Sequence, residues 1–141
     1  MNNTATAVRC SALVKTYRTG DEHVRALRGV HLSIYAGEFV AIAGPSGSGK
    51  STLLNLIGCL DTPDAGEVTV AGEEVTNSED RRRTEFRNRN IGFVFQSFNL
   101  IPVFSALENV AVSLSLLRVS RSERYRRAGQ ALAEVGLGGM E

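Results

Sequence analysis

One nine-residue stretch constrains this chain more than any other: Gly44-Pro45-Ser46-Gly47-Ser48-Gly49-Lys50-Ser51-Thr52. It satisfies the pattern G-x-x-x-x-G-K-[ST] at every fixed position. Its glycines let the backbone fold tightly, with N–H groups turned inward around an anion. Lys50 adds a point charge suited to β- and γ-phosphates, and the Ser51 hydroxyl is a hard donor suited to Mg²⁺. The flanks agree with that reading. Phe39-Val40-Ala41-Ile42-Ala43 is a short apolar run that predicts a buried parallel strand. Leu53, Leu56, Ile57 and Leu60 follow at i, i+3, i+4 and i+7, which predicts one apolar face of a helix. Phosphates would then sit on a helix N-terminus, where unpaired N–H groups and the dipole favour negative charge. The bland alternative is a glycine-rich turn that binds nothing, and the agreement of pattern with context argues against it.

A length of 141 residues suits one domain of modest size. The chain is 43% hydrophobic and 22% charged, which excludes a disordered composition. Its net charge of +1 hides an uneven distribution. Residues 1–80 are net −4, residues 81–127 net +7, and residues 128–141 net −2. A basic middle suits nucleic acid, a membrane surface or plain solvated helix faces, and the last is preferred. The arginines from Arg81 to Arg89 are read in that way. Cys10 and Cys59 form no metal-spacing motif and are expected as buried small hydrophobes in a reducing compartment. The N-terminus, from Met1 to Thr6, shows no basic region followed by an apolar core, so no signal peptide is expected. No apolar run approaches the roughly 20 residues needed to span a bilayer.

In chain order, Val8 to Tyr17 and Val24 to Tyr35 read as strands separated by the polar turn Thr19-Gly20-Asp21-Glu22. They are expected to be antiparallel and one-sided. Glu67–Gly72 and Glu73-Glu74-Val75 predict a short hairpin, and Ser78 to Arg89 a very polar helix. Ile91-Gly92-Phe93-Val94-Phe95 predicts a second buried strand, ending in Gln96. Ser97 to Phe104 reads as an apolar, non-periodic loop. Ser105 and Glu108 form a capping box opening a helix through about Leu117. Ser120 and Glu123 form a second box, opening a helix to about Val135 closed by Gly136. His23 and His31 are expected as surface residues of strands or turns.

Together with the glycine loop, four features carry a resemblance. They are Tyr17 at the end of the first strand, Leu60-Asp61-Thr62-Pro63-Asp64-Ala65-Gly66-Glu67-Val68, Phe93-Val94-Phe95-Gln96, and Asn99-Leu100-Ile101-Pro102. From about Val8 to Gly136 the chain resembles the ATP-binding subunit of ABC transporters. Gly20-Asp21-Glu22, Tyr35-Ala36-Gly37-Glu38 and Leu56-Ile57-Gly58-Cys59-Leu60-Asp61 resemble the branch of lipoprotein-releasing and macrolide-exporting ATPases. The resemblance implies an α/β, P-loop NTPase fold of the ABC type. It would have an N-terminal antiparallel β subdomain, the start of a helical subdomain and an incomplete core. Residues from about 8 to 96 would form the nucleotide-binding core and β subdomain, and about 97 to 141 the Q-loop and the start of the helical subdomain.

The roles it implies are specific. Tyr17 would stack on adenine, since an aromatic face suits any flat base. Gly44, Pro45, Ser46, Gly47, Ser48, Gly49, Lys50, Ser51 and Thr52 would hold the phosphates of ATP, with Lys50 also serving catalysis. Gln96 would be the Q-loop glutamine, touching Mg²⁺ or the attacking water, with Ser51 as the other metal ligand. The apolar loop from Phe98 to Phe104 would lie near the coupling helix of an integral-membrane permease, unless it packs locally as core. A second copy would complete a homodimer that sandwiches two ATP molecules. Nucleic acid is not an expected partner. Location would be cytoplasmic, peripheral at the inner face of the membrane.

Some family features have no counterpart in these residues. Leu137-Gly138-Gly139-Met140-Glu141 lacks the serine of a signature loop, no run of four apolar residues ends in Asp-Glu, and no switch histidine follows. Glu134 sits in a predicted helix and is a poor general base. The chain reads as the N-terminal half to two-thirds of a transporter ATPase, keeping the elements of ATP binding. Strands flanking Phe39–Ala43 would, in that topology, come from later in the chain. The alternatives are another P-loop enzyme such as a small-molecule kinase, or a non-catalytic nucleotide-binding fragment.

Overall fold

The computed structural model describes residues 5–117 and 119–139, the side chains of Thr19 and Leu116 excepted. Met1–Thr4, Arg118, Met140 and Glu141 lie outside them, and with them the start of the leader reading and the end of the Leu137–Glu141 stretch. The chain divides into two units, Met1–Phe93 and Val94–Glu141.

In the first unit, β1 (Thr6–Thr19) and β2 (Glu22–Tyr35) form a long antiparallel hairpin. β3 (Ala65–Val70) pairs with the other edge of β1, and the two-residue β4 (Glu73–Glu74) pairs with β3. The strand order is β2-β1-β3-β4, antiparallel throughout, as the period-two pattern predicts. Cys10 stands at the centre of the sheet, opposite Leu32 on one side and Val68 on the other. After it the ladder slips: Ala12 adopts φ +50°, and the register resumes at Leu13 opposite Val30. Gly66 approaches the Ser11 and Ala12 carbonyls too closely for any Cβ, so only glycine fits there.

The helix α1 (Lys50–Ile57) lays Leu53 and Leu56 on this sheet, where they are buried with Cys10, Leu13, Leu27 and Val68. Val75 and Phe86 of α2 (Asp80–Asn90) complete the cluster. Fully burying a leucine such as Leu56 is worth about 1.5–3 kcal/mol. The predicted fourth apolar position of α1 falls outside it. Gly58 N–H closes on the Leu54 carbonyl at 2.8 Å, Cys59 turns at φ +57°, and Leu60 is exposed. The arginine helix is only partly the solvated face expected. Arg81 and Arg82 are exposed and pair with Glu85 and Glu73. Arg87 instead donates to the Cys59 carbonyl at 2.8 Å, tying α2 to the end of α1.

Two predicted strands do not form. Phe39–Ala43 joins no sheet, and Phe39 is 99% exposed while Ile42 packs on the core. Ile91–Phe95 joins none either; Ile91 packs on the core and Val94 is fully exposed. The physical reason is pairing. A buried parallel strand needs a hydrogen-bonded neighbour and helices on both faces. Among the described residues no strand pairs with either segment.

In the second unit, α3 (Ala106–Ser113) runs into a 3₁₀ turn (Leu114–Leu116) and packs with α4 (Arg121–Glu134). Ala111, Ala128 and Leu132 are buried there. The first predicted capping box forms fully: Glu108 N–H donates to Ser105 Oγ, and Ser105 N–H to the Glu108 carboxylate. The second forms by half. Ser120 Oγ accepts from Glu123 N–H, but the Glu123 carboxylate turns to Arg126 and Arg127, at 2.7–2.8 Å. Gly136 closes α4 as predicted: its N–H reaches the Ala133 carbonyl, and that of Leu137 the Leu132 carbonyl.

Candidate functional site

The glycine loop delivers the chain to α1 with Lys50 as the first helical residue. Gly49 is the residue before it, at φ 91° and ψ 5°. A Cβ on Gly49 would lie 2.5 Å from the Ala26 carbonyl oxygen of β2 and 3.1 Å from Leu27 Cδ2. The loop therefore nests against β2 by a backbone approach that only glycine permits. No side chain caps this helix, and no acidic residue lies in its first turn. Its N–H groups are thus left for an anion. Lys50 Nζ curls over the loop, donating to the carbonyls of Gly44 at 2.8 Å and Pro45 at 2.7 Å. Ser51 follows in the first turn with an exposed side chain. Arg25, Ala26, Leu27, Arg28 and Val30 of β2 face Gly47 and Ser48 across a cavity of about 350 Å³. Arg25 and Arg28 bring positive charge to the loop, and nothing in the linear pattern marks them.

Tyr17, near the end of β1, is 37% exposed. Its phenol donates to Asp61 Oδ2 at 2.9 Å. Lys15 Nζ lies 5.3 Å from the centre of its ring and donates to Asp61 Oδ1 at 2.8 Å and the Thr62 carbonyl at 2.6 Å. Burial and the Asp61 hydrogen bond push the Tyr17 phenol above its ordinary pKa, against an opposing pull from the Thr52 hydroxyl. Burial pushes the Asp61 carboxyl up, but bonds from Lys15, Tyr17 and the Thr62 amide outweigh it and hold the group below its ordinary pKa. Sequence reasoning named Tyr17 and missed Lys15 and Asp61 as its partners. Only Lys15 left a signal, by standing two residues before Tyr17 on the same face of a strand; Asp61 left none.

Gln96 lies in the second unit, in an exposed bend after Phe95. The loop beyond it is held by one side chain. Asn109 Oδ1 accepts from Ile101 N–H at 2.8 Å, while Nδ2 donates to the Ile101, Phe104 and Ser105 carbonyls at 3.0–3.2 Å. The local-core alternative for this loop fails, because Phe98, Leu100 and Val103 point outward and are exposed. His23 and His31 lie on β2 at the surface, and His31 Nδ1 accepts from Ala12 N–H at 3.3 Å. Cys10 and Cys59 are free and buried, as expected. Among the described residues no group of three His, Cys, Asp or Glu side chains could hold a metal ion.

A glycine loop feeding an uncapped helix, with its lysine folded over the loop, places the chain in the P-loop class. Comparison with known proteins narrows the class. A family model described as ABC transporter matches residues 27–141, and the chain belongs to that family. An uncharacterized ABC transporter ATP-binding protein of Thermotoga maritima is 54% identical over 124 residues, covering 88% of this chain and 53% of the relative. A lipoprotein-releasing system ATP-binding protein, LolD, of Alcanivorax borkumensis is 46% identical over 138 residues, covering 98% and 60%. Among solved structures, the ATP-binding cassette MJ0796, as a dimer in a post-hydrolysis state with ADP and Pi, matches with a TM-score of 0.81. It is 48% identical, and the match covers 92% of this chain and 57% of that one. The chain thus spans somewhat over half the length of these relatives. The fold is that of a partial ABC-type P-loop domain, and the kinase alternative finds no support in the family match.

Proposed function

We propose that this chain binds Mg²⁺–ATP on the Gly44–Thr52 loop, as the nucleotide-binding portion of a transporter ATPase. The observation that carries the reading is the loop itself. Gly49 is in a left-handed conformation that admits no Cβ, and it leads directly into the uncapped end of α1, where Lys50 stands first. In this reading Lys50 leaves the Gly44 and Pro45 carbonyls for the β- and γ-phosphates, which are stronger partners for an ammonium than neutral carbonyls. Arg25 and Arg28 add positive charge at the approach. Tyr17 stacks on the base.

Ser51 fits Mg²⁺: it offers an exposed hard oxygen in the first turn of α1, and Mg²⁺ usually takes few protein ligands beside substrate phosphates. The metal would neutralise charge on the phosphates. Gln96 is the second candidate ligand and the candidate for orienting the attacking water. The domain division proposed is residues 8–96 for the core and β subdomain, and 97–141 for the Q-loop and helical start.

Because the LolD relative is named for a lipoprotein-releasing system and MJ0796 is dimeric, we assign the whole protein to a membrane exporter or lipoprotein-releasing system. It would work as one of two cassettes beside an integral-membrane permease, at the inner membrane face. The exposed loop side chains Phe98, Leu100 and Val103 suit an apolar partner. The test is titration of labelled ATP into the protein and its Lys50→Ala variant, with circular dichroism as a control for folding. The variant should bind far more weakly while keeping its fold. Equal affinities would refute the assignment of the loop.

A further inference from the structure

We propose that Asp61 and Lys15 form a clamp that presets the Tyr17 ring for stacking on a nucleotide base. The inference rests on the stacking reading of Tyr17 and adds two positioning residues to it.

An exposed aromatic near a strand end has rotamer freedom to lose when a base lands on it, and ordering such a side chain weakens binding. Tyr17 is held beforehand at two points. Its hydroxyl is tied to Asp61 Oδ2 at 2.9 Å, which fixes the far end of the ring. One of its faces is taken by Lys15 Nζ at 5.3 Å from the centroid, a cation–π distance. A base would take the opposite face. Lys15 is itself immobilised: its side chain is 11% exposed, and its ammonium donates to Asp61 Oδ1 at 2.8 Å and the Thr62 carbonyl at 2.6 Å. Asp61 thus accepts from both partners, one on each oxygen, and a Thr62 N–H at 2.7 Å fixes the carboxylate in turn.

The placement of Asp61 matters as much as its bonds. It stands in the turn just after α1, and α1 begins with Lys50 and Ser51. Eight residues of helix span about 12 Å. One rigid element therefore carries the phosphate-binding residues at its start and the anchor of the base-stacking ring just past its end. Two further bonds lock the turn to β1: Asp64 N–H donates to the Val14 carbonyl at 2.8 Å, and Thr16 N–H to Asp64 Oδ2 at 2.6 Å.

The test compares Tyr17→Phe, Asp61→Ala, their combination and Tyr17→Ala. Each is titrated with ATP and with inorganic tripolyphosphate, which has phosphates and no base. Tyr17→Phe keeps the stacking face and removes the hydroxyl, with its bond to Asp61 and its contact with Thr52. The clamp predicts that Tyr17→Phe and Asp61→Ala each weaken ATP binding about three- to tenfold. Together they should weaken it no further than Asp61→Ala alone, because that change already removes the bond that Tyr17→Phe cuts. Tripolyphosphate affinity should stay within about twofold throughout, which a general loss of structure would not allow. ATP affinity unchanged in Tyr17→Phe and Asp61→Ala but reduced in Tyr17→Ala would overturn the clamp and leave stacking standing. Unchanged affinity in Tyr17→Ala would overturn stacking itself. Equal losses for ATP and tripolyphosphate in Asp61→Ala would also overturn the clamp. Should Asp61→Ala fail to fold, Tyr17→Phe decides alone.

Discussion

Gly49→Ala tests the geometry of the loop more sharply than any change to a charged group. The substitution adds one methyl at φ 91°. An L-residue in the left-handed region costs roughly 1–2 kcal/mol. The methyl would also stand 2.5 Å from the Ala26 carbonyl oxygen, a distance real Cβ atoms do not adopt. The obstacle is backbone of β2, so it cannot swing aside. Overpacking of this kind costs about 1–3 kcal/mol more. The sum is roughly 2–5 kcal/mol, a large share of the 5–15 kcal/mol that holds a typical domain together. Gly47→Ala is the control. Gly47 has φ 78°, and nothing lies within 4 Å of its absent Cβ, so it should cost only the backbone term. Urea unfolding of both variants, followed by circular dichroism, reads the difference. Gly49→Ala should lose at least about 1 kcal/mol more than Gly47→Ala. Equal losses would refute the claim that the loop is seated on β2 by close backbone contact.

Burial pushes the Cys10 thiol up to about 11 and raises that of Cys59 against the pull of Arg87 and Arg83, so neither should react with Ellman's reagent at pH 8 until the protein is denatured. Rapid labelling of the native protein would contradict that burial. Asn109→Ala removes the acceptor for the Ile101 amide, which should then exchange with solvent about tenfold faster, read by hydrogen exchange. No change would mean the loop does not depend on that side chain. Arg126 and Arg127 hold the Glu123 carboxyl down to about 2, below the ordinary carboxylate range. Its lowered value favours the ionised form in the folded chain, so its contribution is full above about pH 5 and is lost as pH falls toward 2. Helical signal should therefore fall less in Glu123→Gln than in the parent over that window, and identical acid profiles would refute it.

What could be read in the sequence was whatever is local. The glycine loop, the antiparallel hairpins, the Ser105–Glu108 box and the Gly136 cap all depend on residues a few positions apart, and all are present. Phe39–Ala43 and Ile91–Phe95 were legible as apolar runs but not as strands. A strand is made by its neighbours, and composition cannot say whether those neighbours are at hand. Leu60 failed for a local reason: Gly58 and Cys59 end α1 before the fourth apolar position is reached. Asp61 was invisible as a partner of Tyr17 because it lies 44 residues away along the chain. The same holds for Arg87, whose bond to the Cys59 carbonyl spans 28 residues and turns one arginine of a solvent-facing cluster into a brace.

The central claim is that the N-terminus of α1 and its glycine loop receive the phosphates. Backbone amide resonances measured during titration with Mg²⁺–ATP test it directly. The account predicts that the amides from Gly47 to Thr52 move first and furthest, and that tripolyphosphate moves the same set. It further predicts that Lys50→Ala abolishes these shifts at equal nucleotide concentration while leaving the rest of the spectrum dispersed. Nucleotide-dependent shifts centred on other residues, with Gly47 to Thr52 unmoved, would contradict it.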